Sequence, residues 1–287
     1  MVAIILDFVN CRCQYQFTLP TVVVLDRRRS MTNLQLLKGP DGPADITSCE
    51  QTPIMQQALF LLNRLNESEL KLTELGRWPR KLVQDFWHKH VKTAENDFLP
   101  DQEERCPEII RVGFLLKESG LIKMRNRRAT LTLRSRRALQ SNLYSEIYAD
   151  LLEKMICSYC WGFEDRYPGF DFIQQYAAAA ISALSSLKSP ISASEIAEAL
   201  RSEVYLDDET QAQIRSANKT SLDDPWLSIK WVDRAIQTRF LNRFAVVFGL
   251  VVCDGSDIFS ELSDRYYNTT FFKNEFFGIV TRQQLVD

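Results

Sequence analysis

Three groups of residues in this 287-residue chain have the types and spacing to do chemistry. The first is a possible zinc set. His88 and His90 are the only histidines, and Cys157-Ser158-Tyr159-Cys160 is the only C-x-x-C. Together they match a Cys2His2 donor set, but 67 residues separate His90 from Cys157 and neither pair has finger spacing. On a helix, Cys157 and Cys160 share one face beside Met155 and Trp161, as core residues do, and no βαβ context supports redox chemistry. The second group is a nuclease-like set. Asp45 and Glu69 could hold Mg2+, with Lys71 beside an attacked phosphate. Glu69 and Lys71 share one side of a short predicted strand, where edge strands commonly carry charge in any case. No G-x-x-x-x-G-K-[ST], G-x-G-x-x-G or G-x-S-x-G run occurs. The expectation is a non-enzymatic protein with no cofactor.

The third group is made of cations, and its position matters more than its size. The chain carries 35 Lys plus Arg and 37 Asp plus Glu, net −2. Residues 61–137 hold 17 basic and 11 acidic side chains, whereas residues 138–287 hold 13 and 21. Within Lys123 to Arg137 there are seven basic and no acidic residues in 15 positions. Lys123, Arg125, Arg127 and Arg128 sit around a predicted turn, and Arg134, Arg136 and Arg137 flank a predicted helix start. Arg77, Arg80 and Lys81 bracket Pro79 at another helix start, with the proline fitting the first helical position. A helix N-terminus carries partial positive charge, so cations there cost a few tenths to about 1 kcal/mol. An anion held by backbone N–H groups and guanidinium forks would relieve that conflict.

The elements that position these cations form a repeat. Met55 to Leu62, Leu70 to Gly76 and Pro79 to His90 make one series. Ile110 to Leu116, Gly120-Leu121-Ile122-Lys123, Thr130-Leu131-Thr132-Leu133 and the run into Arg136 make a second. Phe60-Leu61-Leu62 matches Phe114-Leu115-Leu116, and Thr73-x-x-Gly76 matches Thr132-x-x-Ser135. Each series predicts a helix, a break, a short hairpin and another helix. A third copy runs from Trp226 to Phe248, through Gly249-Leu250-Val251-Val252, to Tyr266–Thr270 before Phe271. Thr269 or Thr270 stands there where Thr132 stands, and the intervening loop carries Asp254, Asp257, Glu261 and Asp264.

Helix–hairpin–helix of this kind is the winged-helix arrangement. With Leu72-Thr73-x-x-Gly76-x-x-Pro79-Arg80-Lys81-Leu82-Val83, the chain resembles uncharacterised bacterial proteins built from serial winged-helix units, over about residues 51–145 and more loosely 226–280. Ser135 departs from the glycine of that pattern. The resemblance implies a fold and no activity. The fold class expected is mainly α with small β-hairpins (α+β), as tandem winged-helix-like units joined by a helical segment. In such a protein the natural anion is a nucleic-acid phosphate, met by the wing and the helix starts. The helix before each wing carries only Arg64 in the first series, and Arg105, Arg111 and Lys117 in the second, spread around the helix. Phosphate contact is therefore better supported than base readout. Two alternatives stand beside it: the arginines face water or pair with Glu103, Glu104, Glu108 and Glu118, or the basic and acidic halves meet each other or a protein partner.

Composition bounds the rest. Hydrophobic residues are 45% and charged residues 25%, which excludes disordered, collagen-like and coiled-coil classes. Seven scattered cysteines fit reduced thiols and a cytoplasmic location. No apolar run approaches the ~18 residues of a membrane helix, so no membrane partner is expected. Residues 1–50 form an N-terminal extension, with strands at 2–9 and 21–25. On a second reading, residues 1–30 precede a start at Met31. Residues 51–165 hold the paired units and a long amphipathic helix marked by Leu139, Leu143, Ile147, Leu151 and Met155. Residues 166–287 hold further helix (Phe170–Leu187, then a capped Ser194–Leu200), an exposed linker at 205–225 and the third unit, whose Phe271, Phe272, Phe276 and Phe277 pack its core.

Overall fold

The computed structural model describes residues 38–39, 42–43, 45–92, 98–164, 172–204, 233–254 and 265–283. The predicted strands at 2–9 and 21–25, the linker at 205–225 and the loop acids Asp257, Glu261 and Asp264 lie outside the described residues. The described chain is mainly helical, with a few short antiparallel strands. It divides into an N-terminal unit, residues 54–159, and a C-terminal unit that joins residues 38–53 to those from 160 onward. Among the described residues no helix is long and apolar enough to cross a membrane.

The N-terminal unit begins with α1 (Pro53–Glu67). Ile54, Met55, Ala58, Leu61, Leu62 and Leu65 recur at helical spacing and form its buried stripe. The chain continues through β1 (Leu70–Lys71), α2 (Arg80–His90), α3 (Pro107–Glu118), β2 (Ile122–Arg125), β3 (Arg128–Leu131), α4 (Leu133–Gln140) and α5 (Tyr144–Cys157). One three-stranded antiparallel sheet runs through the unit in the order β1–β3–β2. This rephases the expected repeat. The series at 55–90 has no hairpin of its own; its strand Leu70–Lys71 pairs with Ala129 and Arg128 of the second series. Thr73-x-x-Gly76 is a turn instead: Gly76 lies at φ 76° and donates its N–H to the Thr73 carbonyl. Pro79 caps α2 from outside, so Arg80 is the first helical residue.

A recurring device joins helix to hairpin. Gly120 (φ 67°) ends α3, its N–H bonding Lys117 O while the Leu121 N–H reaches back to Leu116 O. Thr132 then closes the hairpin. Its N–H and its hydroxyl both donate to Leu121 O, at 3.2 Å each, and its oxygen accepts the Ser135 N–H that starts α4. Ser135 is fully buried and donates its own hydroxyl to Leu121 O, which explains why a polar side chain replaces glycine there.

The C-terminal unit repeats the plan. After α6 (Phe172–Gln175), α7 (Ala177–Ser186) is followed by Ile191, which bridges Tyr266, and by α8 (Ala193–Val204). A π-wound helix, Ile236–Ala245, leads to Gly249 (φ 69°), β4 (Val251–Cys253) and β5 (Tyr266–Asn268). The Leu250 N–H bonds Ala245 O, the Thr269 hydroxyl donates to Gly249 O at 2.7 Å, and the Phe272 N–H bonds the Thr269 oxygen. Thr269, not Thr270, thus stands where Thr132 stands. The order Ile191–β5–β4 parallels β1–β3–β2, and residues 226–232 of the predicted third copy lie outside the described residues. Phe271, Phe272 and Phe276 are buried ahead of α9 (Phe277–Gln283), as their spacing predicted, whereas Phe277 is only half-buried. Residues 45–52 belong to this unit rather than to a free extension: Asp45 accepts the Thr270 N–H, and the Phe271 N–H bonds Ile46 O.

Three expected helices differ in extent. The long helix from Leu139 to Met155 is broken, because Asn142 takes a left-handed conformation (φ 53°) and Leu143 N–H bonds back to Ala138 O. Of the predicted helix at 170–187, residues 170–171 lie outside the described residues and the rest divides at Tyr176 into α6 and α7. The cap of α8 is Ser192, two residues before the predicted start, in a reciprocal pair with Glu195.

The two helix-ending glycines make a paired test. A Cβ on Gly120 meets nothing within 4 Å, whereas one on Gly249 meets Thr52 Cγ2 at 2.5 Å and Ile46 Cδ1 at 3.3 Å. Gly120→Ala should cost only the left-handed strain of roughly 1–2 kcal/mol. Gly249→Ala should cost clearly more, read as a larger fall in the urea unfolding midpoint.

Candidate nucleic-acid interface

The hairpin β2–β3 pairs Ile122 with Leu131, Lys123 with Thr130, Met124 with Ala129 and Arg125 with Arg128. Its two loop residues, Asn126 (φ 52°) and Arg127 (φ 56°), are both left-handed, the signature of a type I′ turn. Glycine is favoured at the second position; an arginine there costs on the order of 1 kcal/mol. Side chains alternate across the sheet. Ile122, Ala129 and Leu131 are buried, while Lys123, Arg125 and Arg128 are exposed. Because β1 places Lys71 opposite Arg128, the residues Lys71, Arg128 and Arg125 form one row across three strands. Like charges placed directly opposite destabilise a sheet. Among the described residues, only Glu69, paired with Arg128, offsets them. Lys71 was not among the predicted binding residues. Its side of the strand was legible, but its partner strand lies 57 residues further on, in what reads as another unit.

The loop after β1 is tied to this tip. The Leu72 N–H donates to Arg127 O at 2.8 Å, and the Thr73 N–H donates to Arg77 O at 2.9 Å. Arg80 and Lys81 follow directly, both exposed. The ten predicted cations therefore separate into two groups. Arg125, Arg127 and Arg128 stand at the tip, with Arg77 on the loop tied to it and Arg80 and Lys81 opening the helix that follows that loop. Lys123 lies further down the hairpin, and Arg134, Arg136 and Arg137 follow its base at Thr132.

Several cations are already satisfied by carboxylates, as one of the alternative readings held. Arg77 pairs with Glu104. The Trp78 N–H, just ahead of α2, donates to Glu103 Oε2 at 2.7 Å, and burial raises that carboxyl's pKa. Arg134 reaches Asp150 at 2.5 Å and Ser119 O at 3.3 Å; burial raises the Asp150 pKa, against the pull of Arg134. The anion that helix electrostatics called for is thus partly internal. Arg80, Lys81, Lys123, Arg125, Arg127, Arg136 and Arg137 are exposed, and their side chains have no partner among the described residues.

The helix before the hairpin offers nothing to a groove. In α3, Glu108, Ile109, Arg111, Val112, Gly113, Leu115 and Leu116 are all buried. α5 packs along it, Phe114 meets Tyr159 edge-on at 5.5 Å, and Trp78 lies against Gly113. Arg105 pairs with Asp101 and Lys117 with Glu118.

The other two constellations do not assemble. His90 is buried with its ring 5.3 Å from that of Phe60 and 5.1 Å from that of Phe86, while His88 is exposed. Cys157 ends α5, and Cys160 lies beyond it and exposed, so the pair does not share a core face. Among the described residues there is no group of three metal-binding side chains. Asp45 caps the helix at Thr270, in the C-terminal unit, whereas Glu69 and Lys71 belong to the N-terminal unit. No family model, curated protein or solved structure matches the chain. The geometry of the cationic face therefore carries the functional argument.

His90 supplies a pH test of this packing. Burial lowers its pKa from 6.5 to about 4, with Lys89 adding to the effect. The unfolded chain then binds a proton that the folded chain does not, so stability falls as pH drops from about 6.5 toward 4. The loss approaches roughly 3 kcal/mol. His90→Leu should flatten that part of the pH–stability curve, measured by urea unfolding between pH 7 and 4.5.

Proposed function

We propose that this is a non-enzymatic protein of the cytoplasm, built of tandem winged-helix-like units, that binds nucleic acid through phosphate contacts of a basic wing. The observation that carries the reading is the row Lys71–Arg128–Arg125, extended by Lys123 and by Arg127 at the tip, on the exposed face of the sheet. A run of like charges in cross-strand register costs stability unless a polyanion meets it. The exposed Arg80 and Lys81, which open α2 after the loop tied to the tip, would add flanking contacts. The C-terminal unit supports a different role for its hairpin, since Val251, Val252 and Cys253 are all buried. One wing is then dressed for phosphate and the other for packing.

If the five wing cations each neutralise one phosphate, log K against log salt should have a slope near −4 to −5. Reversing Arg125, Arg127 and Arg128 to Glu should abolish binding, and an unchanged gel shift would sink the reading. Glu69→Gln, which releases Arg128, should tighten it. Arg127→Gly should separate fold from function, raising the unfolding midpoint by relief of the left-handed strain while lowering affinity and cutting the slope by about 1.

A second reading, a protein-interaction or assembly module, draws on the burial of α3 and on the internal pairing of Arg77, Arg128 and Arg134. It requires salt-labile self-association without nucleic acid. Light scattering at low and high salt should instead show the same mass at both.

A further inference from the structure

The helix that follows the hairpin has what α3 lacks. Along α4, Leu133, Arg136, Arg137 and Gln140 are exposed, at i, i+3, i+4 and i+7, so they form one outward stripe. Leu133 is 65% exposed, an unusual place for a leucine at the start of a helix. None of the four side chains has a partner among the described residues. Ser135 and Ala138 face inward. The Thr132 cap and the Arg134–Asp150 pair hold the start of the helix, and the left-handed Asn142 follows its end.

We infer that α4 is the element that reads the major groove of B-form DNA. This rests on the nucleic-acid reading above. Two guanidinium groups without counter-ions suit guanine O6 and N7, Gln140 suits adenine N6 and N7, and Leu133 suits a thymine methyl. From Arg127 to Thr132 the strand spans about 17 Å at ~3.3 Å per residue. That exceeds the ~12 Å width of the major groove, so one duplex can take α4 in the groove and the wing tip on its flanking backbone. Duplex RNA is a poor fit, since its major groove is too deep and narrow for side chains to read.

The test uses the full chain and a pool of random-sequence DNA duplexes. Wild type should enrich a preferred sequence. Arg136→Ala, Arg137→Ala and Gln140→Ala should each weaken binding to that sequence at least about fivefold. Their affinity for an unrelated duplex, and for the same sequence as duplex RNA, should fall clearly less, so that the sequence preference narrows. Unchanged circular dichroism and melting confirm that each variant is folded; all are exposed positions. Enrichment of no sequence, or equal loss on all duplexes, overturns the inference and leaves the wing reading standing. Binding that survives reversal of Arg125, Arg127 and Arg128 to Glu overturns the wing reading, and a sequence preference that also survives the α4 changes overturns the α4 inference.

Discussion

A threonine hydroxyl holds each hairpin to the helix that precedes it, and the rest of each unit depends on that closure. Thr132 places two donors on the carbonyl of Leu121 and gives its oxygen to the next helix; Thr269 does the same around Gly249 and Leu250. The bond sets the hairpin's register against its helix. Register decides which side chains face outward, because a slip of one residue would exchange the two faces of the sheet. In the N-terminal unit it keeps Ile122, Ala129 and Leu131 inside and Lys123, Arg125 and Arg128 outside. In the C-terminal unit the same geometry encloses Val251, Val252 and Cys253. A shared frame therefore supports opposite surfaces.

The charge on that frame is sorted by distance to a carboxylate. Arg77 and Arg134, which begin as electrostatic misfits beside helix starts, have Glu104 and Asp150 against them. Surface pairs of this kind add little to stability, about 0–1 kcal/mol, but they fix where the guanidinium groups point. Arg125, Arg127, Lys123 and Lys71 have no such neighbour among the described residues. The contrast between spent and unspent cations is what gives the sheet face its meaning, more than the net charge of the region.

Local features were legible in the sequence, and long-range pairings were not. Gly120-Leu121 and Gly249-Leu250 mark left-handed helix ends with a leucine docking behind them, and the polar turn before Thr130-Leu131-Thr132 announced the hairpin. These depend on neighbours a few residues away. The pairing of Leu70–Lys71 with β3 depends on a partner almost sixty residues on, which no local periodicity carries; the sequence therefore reads as two series where the sheet is one, and Lys71 stands apart from the other cations. The break at Asn142 was hidden for another reason. Leucines continue at four-residue spacing straight through it, so the apolar pattern outweighed the polar Gln140-Ser141-Asn142 that ends α4. Burial of α3 was hidden as well, since Glu108 and Arg111 suggest an exposed face while α5 and Trp78 cover it.

The remote pairing of β1 with β3 bears on how the protein comes to hold its cationic row. β2 and β3 can zip locally, but Lys71 joins Arg128 and Arg125 only after the helices between them have docked, and such non-local closure is slow relative to a hairpin. The complete row is a property of the finished fold and is absent from any partly assembled chain. A polyanion that recognises the row favours the native state over a partly assembled one and stabilises it by mass action. Heat resistance gained on adding duplex would therefore report completed folding, not only the presence of positive charge.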